Sequence, residues 1–454
     1  MHNNESGENW MTALHREILE RHSSKILLLV FLLSALAFLA TVPLPRSDGM
    51  LIGSDGIYYY AYVRSLVIDR DIDFANEYAR LFPAMDVEKM KTPTGMTSNQ
   101  FAVGTALLWV PFFLAAHVLS LALNLVGFSM ATDGYGYIYQ SAVCLGSIVY
   151  GWIGMVLTHR ITRNVSQDTA IVSAVMVIAL SNFCYYLVLE PSMSHMCSFF
   201  ASALMFFLWL DGRKADNPGP YFVVGLAGGL MGLVRQPDAT LMLLPVFDIL
   251  LSRTEFLEKR KRIVLIGVGF IAVFWVQMYV WFVLNGSPFL SGYFLDGSQG
   301  FTWLSPHLFG VLFSTNHGLF FWHPFLAFSC LGLVCVFRRD RVLAALLCAG
   351  FLGQTYLIAS WSAWGQGDSF GGRMFIALMP IFVIGTAALL NEVKTKRLRV
   401  RIFAGIAALL LLWNVLFILQ YRLGYISPGG DNTVRELTAG KIEMVGSLLR
   451  RVLP

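Results

Sequence analysis

Charge is what this chain has least of: Asp, Glu, Lys and Arg together make up 13% of its 454 residues. A soluble domain carries about 25% charged residues, so a protein with much soluble mass is excluded. The six cysteines (Cys144, Cys184, Cys197, Cys330, Cys335, Cys348) all lie inside apolar runs and never at C-x-x-C spacing. They read as small core residues, with no disulfide framework or metal motif implied. Internal repeats and low-complexity segments are lacking. So is a matched pair of broken helices in two halves, the pattern expected of an inverted-repeat transporter. The N-terminus does not read as a cleavable signal, because Met1–Ser24 is polar and Lys25–Pro45 is long without a small-residue cleavage site.

Apolar length is what fills the chain. Hydrophobic residues make up 56%, aromatics 14%, and there are 40 glycines; mean hydropathy is +0.62. Apolar runs approach or exceed the roughly 20 residues that a helix needs to cross hydrocarbon. They are far longer than the strands of a membrane barrel. The expected fold is therefore an all-α polytopic membrane bundle.

The modest net charge of +5 sits in short loops and reads as a topology signal, not a nucleic-acid footprint. Basic clusters fall at His159–Arg163, Arg213–Lys214, Arg253–Arg262, Arg338–Arg341 and Lys394–Arg401, and Arg16–Lys25 precedes the first run. The positive-inside rule places all of them on the cytoplasmic side. Eleven spans satisfy that constraint: 25–45, 135–157, 169–189, 195–211, 220–235, 239–252, 263–284, 319–337, 342–360, 374–391 and 402–421. Phe101–Val126 is apolar enough to cross, but crossing would invert everything after it. It is expected to be a juxtamembrane or re-entrant hairpin broken near Pro111, a true span being the alternative. The organisation is then a cytoplasmic segment 1–24, a transmembrane domain 25–421 with a large first outer loop at 46–134, and an outer tail 422–454.

This topology puts nearly all the polar complexity on one side. Asp55 stands in "GSDGIYYY", a few residues past the first span, and opens an amphipathic stretch, Ile57–Leu66. That stretch suits a helix at the interface, with Tyr58 and Tyr59 at headgroup depth and Asp55 as its cap or as a tuned catalytic acid. Farther along the same loop, Asp69, Asp71 and Asp73 alternate without the Gly turn and closing Glu of a calcium loop. They read as acids balancing Arg64 and Arg70. "EPSMSH" sets Glu190 and His195 across a tight connection, where they either converge on one site or form a capped turn with Glu190 paired to an arginine. "RQPD" offers Arg235 to a phosphate, whose oxygens suit the planar guanidinium fork, or to Asp238 as a local pair. "SWSAWGQGDSFGGR" combines Trp361 and Trp364 with Asp368, Arg373 and four glycines. Tryptophan faces stack on sugar rings or sit in an aromatic belt, and glycines let backbone N–H groups approach a phosphate. His307, His317 and His323 are spaced ten and six apart, which fits no compact zinc motif.

An Asp just after the first span, in a large outer loop carrying an amphipathic helix, resembles the GT-C glycosyltransferases. The closest likeness is to the protein mannosyltransferase and lipid A aminoarabinose transferase group, in which an acid and a nearby Tyr follow the Asp. Here Asp55 with Tyr58 or Tyr59 matches, and Gly56 stands where the group carries the acid. The likeness spans roughly residues 25–240 in topology and loop placement and is looser over 285–373. It implies a GT-C-like bundle of about 11 helices in a bacterial inner membrane, with its active site facing outward. The implied activity is transfer of a sugar from a polyprenyl-phosphate donor to a glycan, lipid or protein acceptor, with inversion. In that scheme Asp55 is the general base, Glu190 and His195 orient the acceptor or a divalent metal, and Arg235 and Arg373 bind the donor phosphate. Tyr58, Tyr59, Trp361, Trp364 and Asp368 then contact sugar or lipid. A transporter or flippase of lipid-linked sugars, or a non-catalytic subunit of an assembly complex, are the alternatives. The long spans 263–284, 342–360 and 402–421 lack acidic residues, which disfavours the transporter.

Overall fold

The computed structural model describes residues 5–44, 50–83, 86–213 and 217–452. Arg46, Lys214 and the two extreme ends of the chain, which the sequence reading assigned to the first loop, a basic loop, the N-terminal segment and the tail, lie outside the described residues. Those described form helices and loops, with no β-strand among them beyond two isolated bridges, Lys91 to Thr97 and Phe301 to Trp361. A helix satisfies its own backbone hydrogen bonds, which is what a chain this poor in polar side chains needs in hydrocarbon. Among the described residues, eight helices are long and apolar enough to cross a membrane: Arg21–Thr41, Gly104–Leu125, Tyr137–Arg163, His195–Gly212, Phe256–Asn285, Arg341–Ser360, Arg373–Val393 and Arg397–Arg422. Three shorter apolar helices join them, Ala170–Ala179, Gly219–Val234 and Phe325–Val336.

Glycine sets how closely these helices approach. A Cβ on Gly225 would lie 2.3 Å from the Ile266 carbonyl, and one on Gly269 would lie 2.3 Å from the Phe222 carbonyl. Gly219–Val234 and Phe256–Asn285 therefore touch backbone to backbone, as small residues permit in membrane bundles.

Several expected spans are broken in two. The stretch 169–189 divides into Ala170–Ala179 and Phe183–Val188, and 319–337 into Leu319–Trp322 and Phe325–Val336, with Pro324 between. The stretch 239–252 is a 3-10 turn, Gln236–Met242, followed by Leu243–Leu251. The reverse correction applies to Phe101–Val126, which is one unbroken helix, Gly104–Leu125, running through Pro111. The Tyr150 hydroxyl donates to the Leu108 carbonyl at 3.0 Å, a side-chain bond in the turn that the proline weakens.

The loops gather at two ends. At one, Arg213 pairs with Asp248 and Asp340 at 2.8 and 3.0 Å, and Lys394 pairs with Asp168 at 2.6 Å. Lys259 donates to the Leu250 carbonyl at 2.8 Å there, and Arg339 donates to that of Val165. At the other end Arg373 meets Asp55. The chain on either side of Gly104–Leu125 stays at the Asp55 end: Asn99 donates to the Tyr58 carbonyl at 2.9 Å, and Tyr60 donates to that of Gly134 at 2.5 Å. That helix runs antiparallel to Tyr137–Arg163, its His117 meeting Tyr139 and its Trp109 meeting Ser147. The tail returns to the same end, where Ser369 N–H donates to the Pro428 carbonyl at 3.1 Å.

Candidate functional site

Asp55 occupies the cap position of helix Gly56–Arg64, but its side chain makes no capping bond. Its Oδ2 accepts instead from Arg373 Nη1 at 2.8 Å, across 318 residues of sequence. Two features of the backbone deliver the pair. Ser54 takes a left-handed φ of 52°, turning the chain just ahead of Asp55. On the other side Gly371 has φ 65°, and a Cβ there would sit 2.2 Å from His323 Nε2, so only glycine lets the loop turn Arg373 inward.

The helix after Asp55 is not the interfacial element expected. Eight of its nine residues are buried, Tyr58 being the half-exposed one. Tyr58 packs its ring on Tyr78 and Phe101, with centroids 5.5 and 4.8 Å away. The Tyr59 hydroxyl donates to Ser194 Oγ at 3.0 Å, and Tyr62 reaches the Phe101 carbonyl at 3.4 Å. Burial raises the phenol pKa of both Tyr58 and Tyr59, with the Asp55 carboxylate adding to it. These tyrosines anchor Asp55 to the protein rather than to lipid.

Glu190 is not paired to an arginine. It accepts from the Tyr185 hydroxyl at 3.0 Å, and burial holds its carboxyl above the usual range against the opposing pull of Arg373 and Arg422. His195 is buried with its ring 4.4 Å from that of Tyr186, and neither ring nitrogen has a hydrogen-bond partner. Tyr186 in turn accepts from the Phe370 N–H at 2.9 Å, tying EPSMSH to the Gly-rich loop. EPSMSH is thus linked through Tyr186 to the loop that precedes Arg373, and Asp55 to Arg373 itself.

The local Arg235–Asp238 ion pair does not form. Asp238 is fully buried and accepts from Ser198 Oγ at 2.6 Å and more weakly from Gln354 Nε2 at 3.4 Å. Arg235 is half-buried, and its Nη1 has no partner among the described residues. The residue lines a cavity of about 370 Å³ whose walls include Tyr59, Trp281, Tyr293, Phe301, Trp361 and Met374. Trp361 is therefore at the site. Trp364 is not: it packs under Gly310 and stacks on His307, centroids 4.9 Å apart. Asp368 is exposed, with its carboxylate toward the tail at Gly429.

The remaining polar clusters are local. Asp71 accepts from Ser65 Oγ at 2.5 Å, Asp73 accepts from Thr97 N–H at 3.1 Å, and Asp69 pairs with Arg64. Arg64 also holds Glu77 at 2.5 Å, a wholly buried acid whose second oxygen has no partner; burial pushes its pKa up to about 7. His317 bonds the Gly365 carbonyl at 2.7 Å and His323 lies under Gly371, so these histidines brace the Gly-rich loop. Among the described residues, no three His, Cys, Asp or Glu side chains stand close enough to hold a metal ion.

Comparison with known proteins leaves the site to speak for itself. The chain matches no family model and no curated protein.

What the residues do chemically is nonetheless specific. A carboxylate tied to one guanidinium lies near a second arginine, which lines an aromatic, largely apolar chamber. Such a place suits an anion with a long apolar appendage. Sequence reasoning missed Ser194, Ser198, Gln354 and Tyr293. Ser194 lies inside EPSMSH but is overshadowed there by Glu190 and His195, the others lie in apolar runs or ordinary loops, and only contact with Tyr59, Asp238 or the cavity marks them. The Ser427–Asn432 turn, closed by Asn432 Nδ2 on the Ser427 carbonyl at 2.9 Å, was also missed, although its Pro-Gly-Gly is a turn signal.

Proposed function

We propose that this protein is a membrane glycosyltransferase that moves a sugar from a polyprenyl-phosphate donor to a hydroxyl or amine acceptor. The observation that carries the reading is Arg235, which lines the aromatic cavity near the Asp55–Arg373 pair and has one buried guanidinium nitrogen without a partner among the described residues. A part-buried guanidinium with no ion pair among the described residues suits a ligand phosphate, which supplies the counter-ion. The apolar walls take the first units of the lipid tail.

In this mechanism Asp55 accepts the acceptor's proton as its oxygen or nitrogen attacks the anomeric carbon. The bond from that carbon to the phosphate oxygen breaks, and the electron pair leaves with the prenyl phosphate. Inversion follows from attack opposite the leaving group. Arg235 and Arg373 stabilise the charge that develops on the phosphate. Glu190 and His195 border Asp55 on the acceptor side, and Trp361 offers a ring face to sugar or lipid. The chain makes eleven passes of a bacterial inner membrane. The basic loops lie in the cytoplasm and the Asp55 end faces outward, where the lipid carrier holds its phosphate at headgroup depth.

The test is transfer of sugar from a prenyl-phosphate donor in membranes containing the Asp55→Asn protein. Transfer at the wild-type rate, with equal protein present, would overturn the assignment.

A further inference from the structure

The two arginines at the site differ in one respect: Arg373 is engaged and Arg235 is not. We propose that Arg373 is shared in alternation, held by Asp55 while the donor is absent and by the donor phosphate once it arrives, so that donor binding itself releases the base. The inference rests on the reading of the site as a prenyl-phosphate site and adds an order of events to it.

The geometry supports an exchange. Arg373 meets Asp55 through a single Nη1 to Oδ2 contact of 2.8 Å, not the two-bonded fork that guanidinium and carboxylate can form. The side chains are 11% and 28% exposed, so the pair is sheltered but reachable. Tyr59 lies in the field of Asp55, Arg235 and Arg373 together and lines the cavity, as does Met374, the residue after Arg373. Met374 on the cavity wall makes Arg373 the chain neighbour of that wall, near a phosphate seated on Arg235. Such a phosphate offers more negative charge and more acceptor oxygens than one carboxylate, and a second arginine is already waiting for it.

The exchange matters because of where the cation stands. While Arg373 is held at Oδ2, a positive charge lies beside the carboxylate that must take the acceptor's proton at its other oxygen. When Arg373 turns to the phosphate, that charge leaves the carboxylate and the leaving group gains a second cation. The acceptor proton then passes to Asp55 and the bonding pair of the glycosyl–phosphate bond passes to the phosphate. Proton removal is thereby favoured by a bound donor.

Equilibrium binding of farnesyl phosphate to the purified full-length protein tests this as a double-mutant cycle. Asp55→Asn should tighten binding about tenfold, because Arg373 no longer has to be taken from a partner. The same substitution in an Arg373→Gln background should leave affinity unchanged. Tightening of equal size in both backgrounds would mean simple relief of carboxylate–phosphate repulsion and would overturn the exchange. So would no tightening in either. Arg373→Met keeps the apolar stem and replaces Arg373→Gln if that protein fails to fold. Binding lost in Arg235→Ala, with no Asp55→Asn effect, sinks the exchange alone. Wild-type protein that does not bind farnesyl phosphate, or binding indifferent to Arg235→Ala, sinks the prenyl-phosphate site as well.

Discussion

Gly56 and Ser192 are in such close contact that a Cβ on residue 56 would stand 2.8 Å from the Ser192 carbonyl oxygen and 2.9 Å from its hydroxyl. The residue beside Asp55 is thus pressed against the middle of EPSMSH. An acidic side chain at this position has no room here. Any second carboxylate must come from elsewhere, and Glu190, two residues from Ser192, is nearest in sequence to that contact.

Gly56→Ala should therefore cost more than a surface substitution. Overpacking against backbone costs about 1–3 kcal/mol, and relief by a shift of Asp55 would spoil its contact with Arg373. Thermal unfolding in detergent should show the loss of stability, and transfer activity should fall further than the unfolded fraction explains. Unchanged activity and melting would mean that the two segments part easily.

Asp55→Asn should lower transfer by about 10²- to 10⁴-fold, the usual range for a general base. Protein level should stay near wild type, and any fall in melting temperature from loss of the single Arg373 contact should be too small to explain the lost activity. Initial rates with a prenyl-phosphate sugar, normalised to purified protein, are the measurement.

Arg235→Ala should weaken prenyl-phosphate binding by about 10- to 100-fold, which corresponds to the 1.5–3 kcal/mol typical of a hydrogen bond to a charged group. Binding of the uncharged prenyl alcohol should change little. Equal losses for both ligands would assign Arg235 to packing rather than to phosphate.

Glu77 predicts a pH signature. Burial raises its folded pKa to about 7, above the ordinary carboxyl value of 4.5. The folded state therefore binds more protons than the unfolded state between those limits. Its stabilising contribution is fully present below about pH 4.5 and is lost as pH rises through about 7. Stability of wild type relative to Glu77→Gln should fall over that window by no more than about 3 kcal/mol and level off above it. A difference that is flat from pH 4.5 to 7.5 would show that Arg64 keeps Glu77 ionised throughout.

The two-ended topology makes its own prediction. Single cysteines at Ser298 and Lys396, both exposed, should react with an impermeant reagent from opposite sides of sealed vesicles. Reaction of both from one side would sink the eleven-pass reading.

Much of the bundle was legible because the membrane imposes simple rules. Runs near 20 apolar residues have few alternatives to a helix, and the basic loops do meet at one end. Where those rules are silent, the reading failed. Pro111 marks a break in a water-soluble helix, yet the Tyr150 hydroxyl supplies a bond beside it and the helix continues. Tyr58 to Tyr62 look interfacial in a linear pattern, but the loops folded over them leave most of that helix buried. Trp361 and Trp364 are three residues apart and chemically alike. One lines the cavity and the other stacks on His307, a choice made by the bridge between Phe301 and Trp361 and by the approach of Gly310.

The sequence by itself determined that the protein is helical and membrane-embedded, and that its polar motifs lie apart from its basic loops, because hydrocarbon tolerates only backbones that satisfy themselves. Which motifs meet was decided by the tertiary structure alone. Asp55 is joined to Arg373 rather than to its own helix, and Asp238 is claimed by Ser198 and Gln354, which leaves Arg235 unpaired. A charged group at this end of the bundle has several partners within reach of its sequence neighbours. Close glycine contacts at Gly56 and Gly371 determine which one it finds.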